Sequence, residues 1–183
     1  MKRFIIVITV ALLITNTSTA QKIYTKNGLV SFFSSTKMED IKASNNQVLC
    51  VLNTQTGELQ FSLLTRGFHF AKALMEEHFN ENYMESNKFP KATFKGTVTD
   101  ISKVNFTKNG TYAVSVKGDI TIHGITNNVT APGKIIVKDG KISAGAKFMV
   151  KLADYKIAIP GAVKNSIAES IEVTVDCNLD QKM

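Results

Sequence analysis

Through most of the chain, apolar residues fall on every second position, the period of strands that bury one face. In 58–64 the apolar set is Leu59, Phe61 and Leu63; in 92–102 it is Ala92, Phe94 and Val98, with Gly96 between. In 112–122 Tyr112, Val114, Val116, Ile120 and Ile122 alternate with Ser115, Lys117, Asp119 and Thr121. The same rhythm runs through 129–137 (Val129, Ala131, Ile135, Val137) and 141–152 (Ile142, Ala144, Ala146, Phe148, Val150, Leu152). It returns in 171–179 (Ile171, Val173, Val175, Cys177, Leu179). Segments 29–34 and 47–52 are strand-like with less clean alternation, which brings the expected total to about eight strands.

Turn chemistry separates these runs. Thr56-Gly57, His123-Gly124 and Asp139-Gly140 stand between consecutive strands, and Lys108-Asn109-Gly110 precedes the strand at 112. Such pairs suit the positive φ angles of tight hairpins, so an antiparallel meander is expected. One segment departs from the period. Ala71, Leu74, Met75, His78 and Phe79 fall at offsets that define one face of a helix, with Lys72, Glu76, Glu77 and Asn80 on the other. A short helix between two strands is a natural lid for one end of a barrel. The fold class expected is all-β: an eight-stranded antiparallel barrel, with small inward residues such as Ala144 and Ala146 leaving room for one ligand.

The first twenty residues stand apart from this pattern. Lys2 and Arg3 precede Phe4–Ile14 (FIIVITVALLI), a run that is apolar apart from Thr9 and too short to span a bilayer. Ser18 and Ala20 occupy the −3 and −1 positions of a signal-peptidase site. Residues 1–20 are therefore read as a signal peptide and 21–183 as one domain, with a periplasmic or secreted destination. Gln21 rather than cysteine follows the cleavage point, which argues against a lipid-anchored lipoprotein. Without Lys2 and Arg3 the chain carries 20 basic and 15 acidic residues, net +5, and Arg66 is its sole arginine. Scattered lysines without a basic block exclude nucleic acid as the expected partner. They favour an anionic head group or transient contact with an anionic membrane surface.

Catalytic sets are not apparent. His69, His78 and His123 form no metal-spaced pair, no G-x-S-x-G is present, and Glu76 and Glu77, neighbours in sequence, are not placed to act as a facing pair. Neither an enzyme nor a cofactor is expected. Cys50 and Cys177 lie inside apolar strands and read first as small buried hydrophobes; an exported destination also permits their disulfide. Arg66, at the end of the 59–63 strand, is the one polar handle suited to gripping a phosphate or carboxylate.

Two segments carry a family resemblance. In 67–100, a helix reading LMEEHF is followed by Tyr83, Ser86, Phe89, Pro90, Ala92 and Phe94 in a Y-x-x-S-x-x-F-P-x-A-x-F arrangement. In 118–130, GDITIHGITNNVT resembles a G-x-L-T-I-H-G-V-T-x-x-V hairpin, with Ile120 and Ile125 as conservative departures. A weaker match is Asp154-Tyr155-Lys156-Ile157 followed by the 171–179 strand. Together these resemble the YceI-like family over essentially all of 22–180. The resemblance implies a lipocalin-like barrel, export, and binding of an amphiphilic lipid of the polyisoprenoid, isoprenoid-quinone or fatty-acyl type.

The expected lining is then the inward set Leu59, Phe61, Phe94, Val98, Val114, Val116, Ile120, Ile122 and Phe148. Phe68, Phe70, Leu74 and Phe79 are expected to close one end, with Arg66 meeting the polar head. The competing expectation is a barrel filled by its own side chains that serves as an envelope-stress or partner-interaction module. Phe61, Phe94 and Phe148 meeting in the middle, or a cavity well below about 300 Å³, would mark it. Monomer and homodimer remain open.

Overall fold

A computed structural model describes residues 22–183; the proposed signal peptide lies outside the described residues. Eight long strands form the wall: β1 (Lys22–Ser35), β2 (Asp40–Asn53), β3 (Glu58–Leu64), β5 (Lys91–Val98), β6 (Gly110–Ile122), β7 (Ile125–Lys138), β8 (Lys141–Lys151) and β9 (Ser170–Leu179). The two-residue strands β4 (His69–Phe70) and β10 (Gln181–Lys182) add to β2 and β1 respectively. Each long strand pairs antiparallel with two others, and the ring closes because β1 pairs both β2 and β9. Closure leaves no open sheet edge among the long strands. Among the described residues, no helix is long and apolar enough to cross a membrane.

Two hairpins follow from local chemistry. His123 and Gly124 have φ of 50° and 72°, and Asp139 and Gly140 have 52° and 75°. Both pairs thus carry the double positive φ of a two-residue type I′ turn, whose twist matches the strands it joins. The β6–β7 pairing runs without a break from Gly110↔Val137 to Ile122↔Ile125.

β1 and β2 behave differently. Inward residues of β1 run Ile23, Thr25 and then Gly28, Val30, so the parity flips at 26–27. On β2 they run Ala43, Asn45 and then Val48, Cys50, Leu52, with a flip at 46–47. The β1–β2 register shifts at the same place, between Thr25 and Val30. One extra residue on each strand re-aims everything beyond it, as a bulge does. Within 29–34 and 47–52 the sequence alternates poorly because outward Leu29, Phe33 and Leu49 are as apolar as their inward neighbours.

Cys50 and Cys177 are free thiols, fully buried in the main core cluster with Leu52, Ile135 and Leu179. A hydrogen bond with Cys177, added to burial, pushes the Cys50 thiol up, so it stays protonated.

The barrel's two ends differ. At one end lie the β2–β3 and β7–β8 turns and the 99–109 link, whose Val104 is buried in one cluster with Leu52, Leu59 and Val98. At the other lie the β1–β2 hairpin tip, the 65–90 segment and the 152–169 link. The 65–90 segment contains helix α1 (Ala73–His78) and, directly after it, a π turn (Phe79–Tyr83).

Candidate functional site

The interior encloses a cavity of about 360 Å³ whose wall is overwhelmingly apolar. β6 contributes Val114, Val116, Ile120 and Ile122. At about 3.4 Å per residue and a tilt near 40°, that set covers roughly 20 Å of the barrel axis. Leu59 and Phe61 of β3, Phe94 and Val98 of β5 and Phe148 of β8 share the wall.

Phe61 and Phe94 meet edge to face at 6.2 Å, whereas Phe148 packs in a separate cluster with Val150, Ile157 and Ile171. The three rings do not converge, which is why a space survives. Gly96 and Gly118 stand opposite each other in the β5–β6 register, and the Phe94 ring lies over both. Bare backbone beneath the ring lets it lie along the wall.

The lidded end is a cluster of four phenylalanines. Phe32, Phe68, Phe70 and Phe79 contact one another at ring-centroid distances of 5.1 to 5.7 Å, and all four line the cavity. Phe32 was not among the expected wall residues because its neighbour Phe33, equally apolar, points outward and masks the alternation. Even so, Ile171, Val173 and Val175 of β9 also line the wall, and their alternation alone would have found them.

Leu74, expected to close one end, and Arg66, expected to meet a polar head, both lie outside the lining. Leu74 is 61% exposed and lies outside the lining, while Met75, His78 and Phe79 face the cavity. Helix α1 begins at Ala73 and has six residues, too few for periodicity to fix its phase. Arg66 sits in a 3-10 turn (Thr65–Gly67), is exposed, and donates from its guanidinium to the Asn87 side-chain oxygen. It does not reach the lumen, so no head-group role rests on it. Ionisable residues of the lining are Glu39, His78, Tyr83 and Lys134. Lys134 is exposed and pairs with Gly145, its stem lying over that residue's outer face. Burial pushes the Tyr83 hydroxyl up, so this wall residue is neutral at physiological pH.

The lid is held by polar pins that no sequence period reveals. Asn45, fully buried, donates to the Leu64 carbonyl at 2.9 Å, and Thr65 donates to the Phe89 carbonyl at 3.0 Å. Ser86 donates to the Asn80 side chain at 2.7 Å. Each spends a buried polar group on fixing the lid segment, and removing one would leave its partner unsatisfied.

His123 acts as a corner post. Its Nδ1 lies 3.0 Å from the Tyr155 carbonyl and its Nε2 2.9 Å from the Glu85 carboxylate. Both partners only accept, so both bonds form when each ring nitrogen carries a hydrogen. Phe89 packs edge-on against the ring at 4.6 Å. The β6–β7 turn is thereby tied to the lid segment and to the 152–169 link. His69 pairs with Glu76 and His78 faces the cavity, so the three histidines do not converge. Among the described residues, no group of three or more histidine, cysteine or acidic side chains is placed to hold a metal.

A closed antiparallel ring around an apolar space defines a small cavity-bearing β-barrel. The chain belongs to the YceI-like domain family, whose model matches residues 15–179. A polyisoprenoid binding domain from Saccharophagus degradans, described as implicated in plant cell wall breakdown, superposes with a TM-score of 0.73. That match has 13% identity and covers 86% of this chain and 97% of the other. Burkholderia cenocepacia BcnA gives a TM-score of 0.66 at 14% identity, over 81% and 94% of the two chains. A mutant YceI protein of Campylobacter jejuni, solved with monobromobimane as guest, gives 0.55 at 14% identity, over the whole of both chains. These likenesses establish a shared fold. Among curated proteins, none matches the chain.

Proposed function

We propose that this protein is exported and holds a long apolar lipid, of the polyisoprenoid, isoprenoid-quinone or fatty-acyl type, in its barrel lumen, binding it without catalysis. The observation that carries the reading is the apolar cavity of about 360 Å³, within the range of small-molecule sites. The described polyisoprenoid binding of the Saccharophagus domain, on the same fold, supports it.

The energetics favour a tail over a head. Each buried CH₂ gains about 0.8 kcal/mol, so some fifteen carbons gain on the order of 12 kcal/mol. That is the scale of the roughly 4–15 kcal/mol lost in immobilising a partner. Among the described residues, the one lysine or arginine of the lining, Lys134, is exposed on the outer face, so the tail supplies affinity and the head stays at the mouth. The alternative of a barrel packed solid with its own side chains is disfavoured by the same cavity and by the separation of Phe148 from the Phe61–Phe94 pair.

Native mass spectrometry of gently purified protein, followed by organic extraction, tests the reading. The expected result is a stoichiometric adduct that extraction identifies as a long-chain lipid. Protein that stays free of copurified lipid and also takes up none when offered prenols, quinones and fatty acids would sink it.

A further inference from the structure

Two buried nucleophiles play no part in the lumen. Cys50 on β2 and Cys177 on β9 are fully buried, and neither lines the cavity. Both lie in the core cluster toward the turn end of the barrel, away from the lid, with Leu52, Leu59 and Leu179. β1 runs between their strands and pairs with both. Cysteines separated by a strand are ordinarily too far apart to join. Next-nearest strands of a flat sheet lie about 9.5 Å apart, beyond the roughly 7 Å between Cα atoms that a disulfide spans.

β1 removes that obstacle in two ways. Its register with β2 shifts between Thr25↔Cys50 and Gly28↔Val48, three residues on β1 against two on β2. A bulge of this kind bends its strand and increases the twist, and residues of β2 and β9 come within 8 Å of one another between Cα atoms. The inward residue of β1 just past the shift is a glycine, Gly28. The β1–β9 register ends at Leu29↔Asp176, which sets Cys177 beside Gly28. A Cβ at Gly28 would stand 2.6 Å from the Cys177 Sγ and 3.1 Å from the Val48 carbonyl oxygen. The Cys177 sulfur thus fills the room that a side chain of β1 would take, and it leans over that strand toward β2. There it is hydrogen-bonded with the Cys50 thiol.

We propose that Cys50 and Cys177 form a disulfide site: the pair closes across β1 while the chain folds in an oxidising medium, and the finished barrel then seals the bond. The structure holds the pair in its dithiol form. Closing it needs a disulfide-bearing oxidant, such as oxidised glutathione. The thiolate of one cysteine attacks that disulfide and releases one glutathione thiol. The sulfur of the other cysteine then displaces the second, so two electrons and two protons pass from the pair to two product thiols.

The mixed-disulfide intermediate has no room in a core where both cysteines are fully buried. Burial also keeps the Cys50 thiol in its unreactive protonated form. Exchange therefore belongs to the open chain, and the native barrel protects whichever state it folded into. The bond would link the two neighbours of the strand that closes the ring, fastening the barrel at the end away from the lid. That the pair can close is independent of the carrier reading; that it closes in the cell rests on the export proposed above.

Refolding the purified protein from urea with and without oxidised glutathione, followed by alkylation under denaturing conditions and intact mass, tests this. Protein refolded with the oxidant is expected to lose two hydrogens, about 2 Da, to take up no alkyl group, and to yield one linked peptide containing Cys50 and Cys177. Its urea midpoint should lie about 1 M or more above that of the dithiol form. Folded dithiol protein given the same oxidant should close about tenfold more slowly, or slower still, than the refolding chain. Cys177→Ala should show no glutathione-dependent change in midpoint; if that variant does not fold, the linked wild-type peptide decides alone. Refolded protein that keeps both thiols, carries glutathione as an adduct or forms linked dimers overturns the proposal. Folded protein that closes as fast as the refolding chain overturns the sealing. The N-terminal mass of protein recovered from a bacterial periplasm reports export separately. A bond formed on refolding without export removes only its cellular setting, and exported protein with both thiols free overturns the site alone.

Discussion

Ala146→Trp is expected to leave a folded barrel that no longer carries lipid. Ala146 lies on the inward face of β8, opposite Gly133 on one side and Val175 on the other, and it lines the cavity. Its small side chain is part of what keeps the space open. An indole there projects into the lumen and occupies the path of a tail. Overpacking a filled core costs about 1–3 kcal/mol, but here the cavity receives much of the added bulk, so the stability loss should stay toward the low end. Native mass spectrometry should show bound lipid falling to a tenth or less, about 1.4 kcal/mol or more of binding free energy. Lys147→Trp places the same bulk one residue along on the exposed outer face and should keep its lipid. Loss of lipid in both variants, or in neither, would contradict a lumen site.

Gly118→Val should be the most damaging single change to the fold. A Cβ at Gly118 would stand 2.4 Å from the Gly96 Cα, 2.4 Å from the Lys95 carbonyl oxygen and 2.8 Å from the Phe94 ring. Two of these neighbours are backbone of the adjacent strand, which cannot swing away as a side chain would. β5 and β6 must then separate, or the Phe94 ring must leave its bed and enter the lumen. The cost is at the upper end of overpacking, about 3 kcal/mol. Gly161→Ala, where an added Cβ meets nothing within 4 Å, should stay within about 0.5 kcal/mol of wild type. Urea unfolding of the two variants side by side checks the contrast.

Both predictions depend on features that the sequence revealed unevenly. The bounds of β3 follow directly from Leu59, Phe61 and Leu63 flanked by turn residues, and the β6–β7 and β7–β8 turns follow from His123-Gly124 and Asp139-Gly140. Inward parity placed most of the wall, because in a closed barrel one face of each strand has nowhere else to go. Parity failed where both faces of a strand are apolar. In β1 the outward Leu29 and Phe33 are as apolar as the inward Val30 and Phe32, so no alternation marks Phe32 for the lid cluster. Arg66 and Leu74 were misplaced for a different reason: a three-residue 3-10 turn and a six-residue helix carry too few positions to define a face. The pins at Asn45 and Thr65 were invisible because their partners are backbone carbonyls 19 and 24 residues away, which no side-chain pattern encodes.

The account stands on a tail lying inside the barrel. Photo-crosslinking with a lipid that carries a diazirine along its chain, followed by peptide mapping, measures that directly. Labels are expected on inward positions such as Val116, Ile120 and Phe148, and should vanish from them in Ala146→Trp. Labels concentrated on outward side chains such as Leu49, with the inward rows unmarked, would contradict the account.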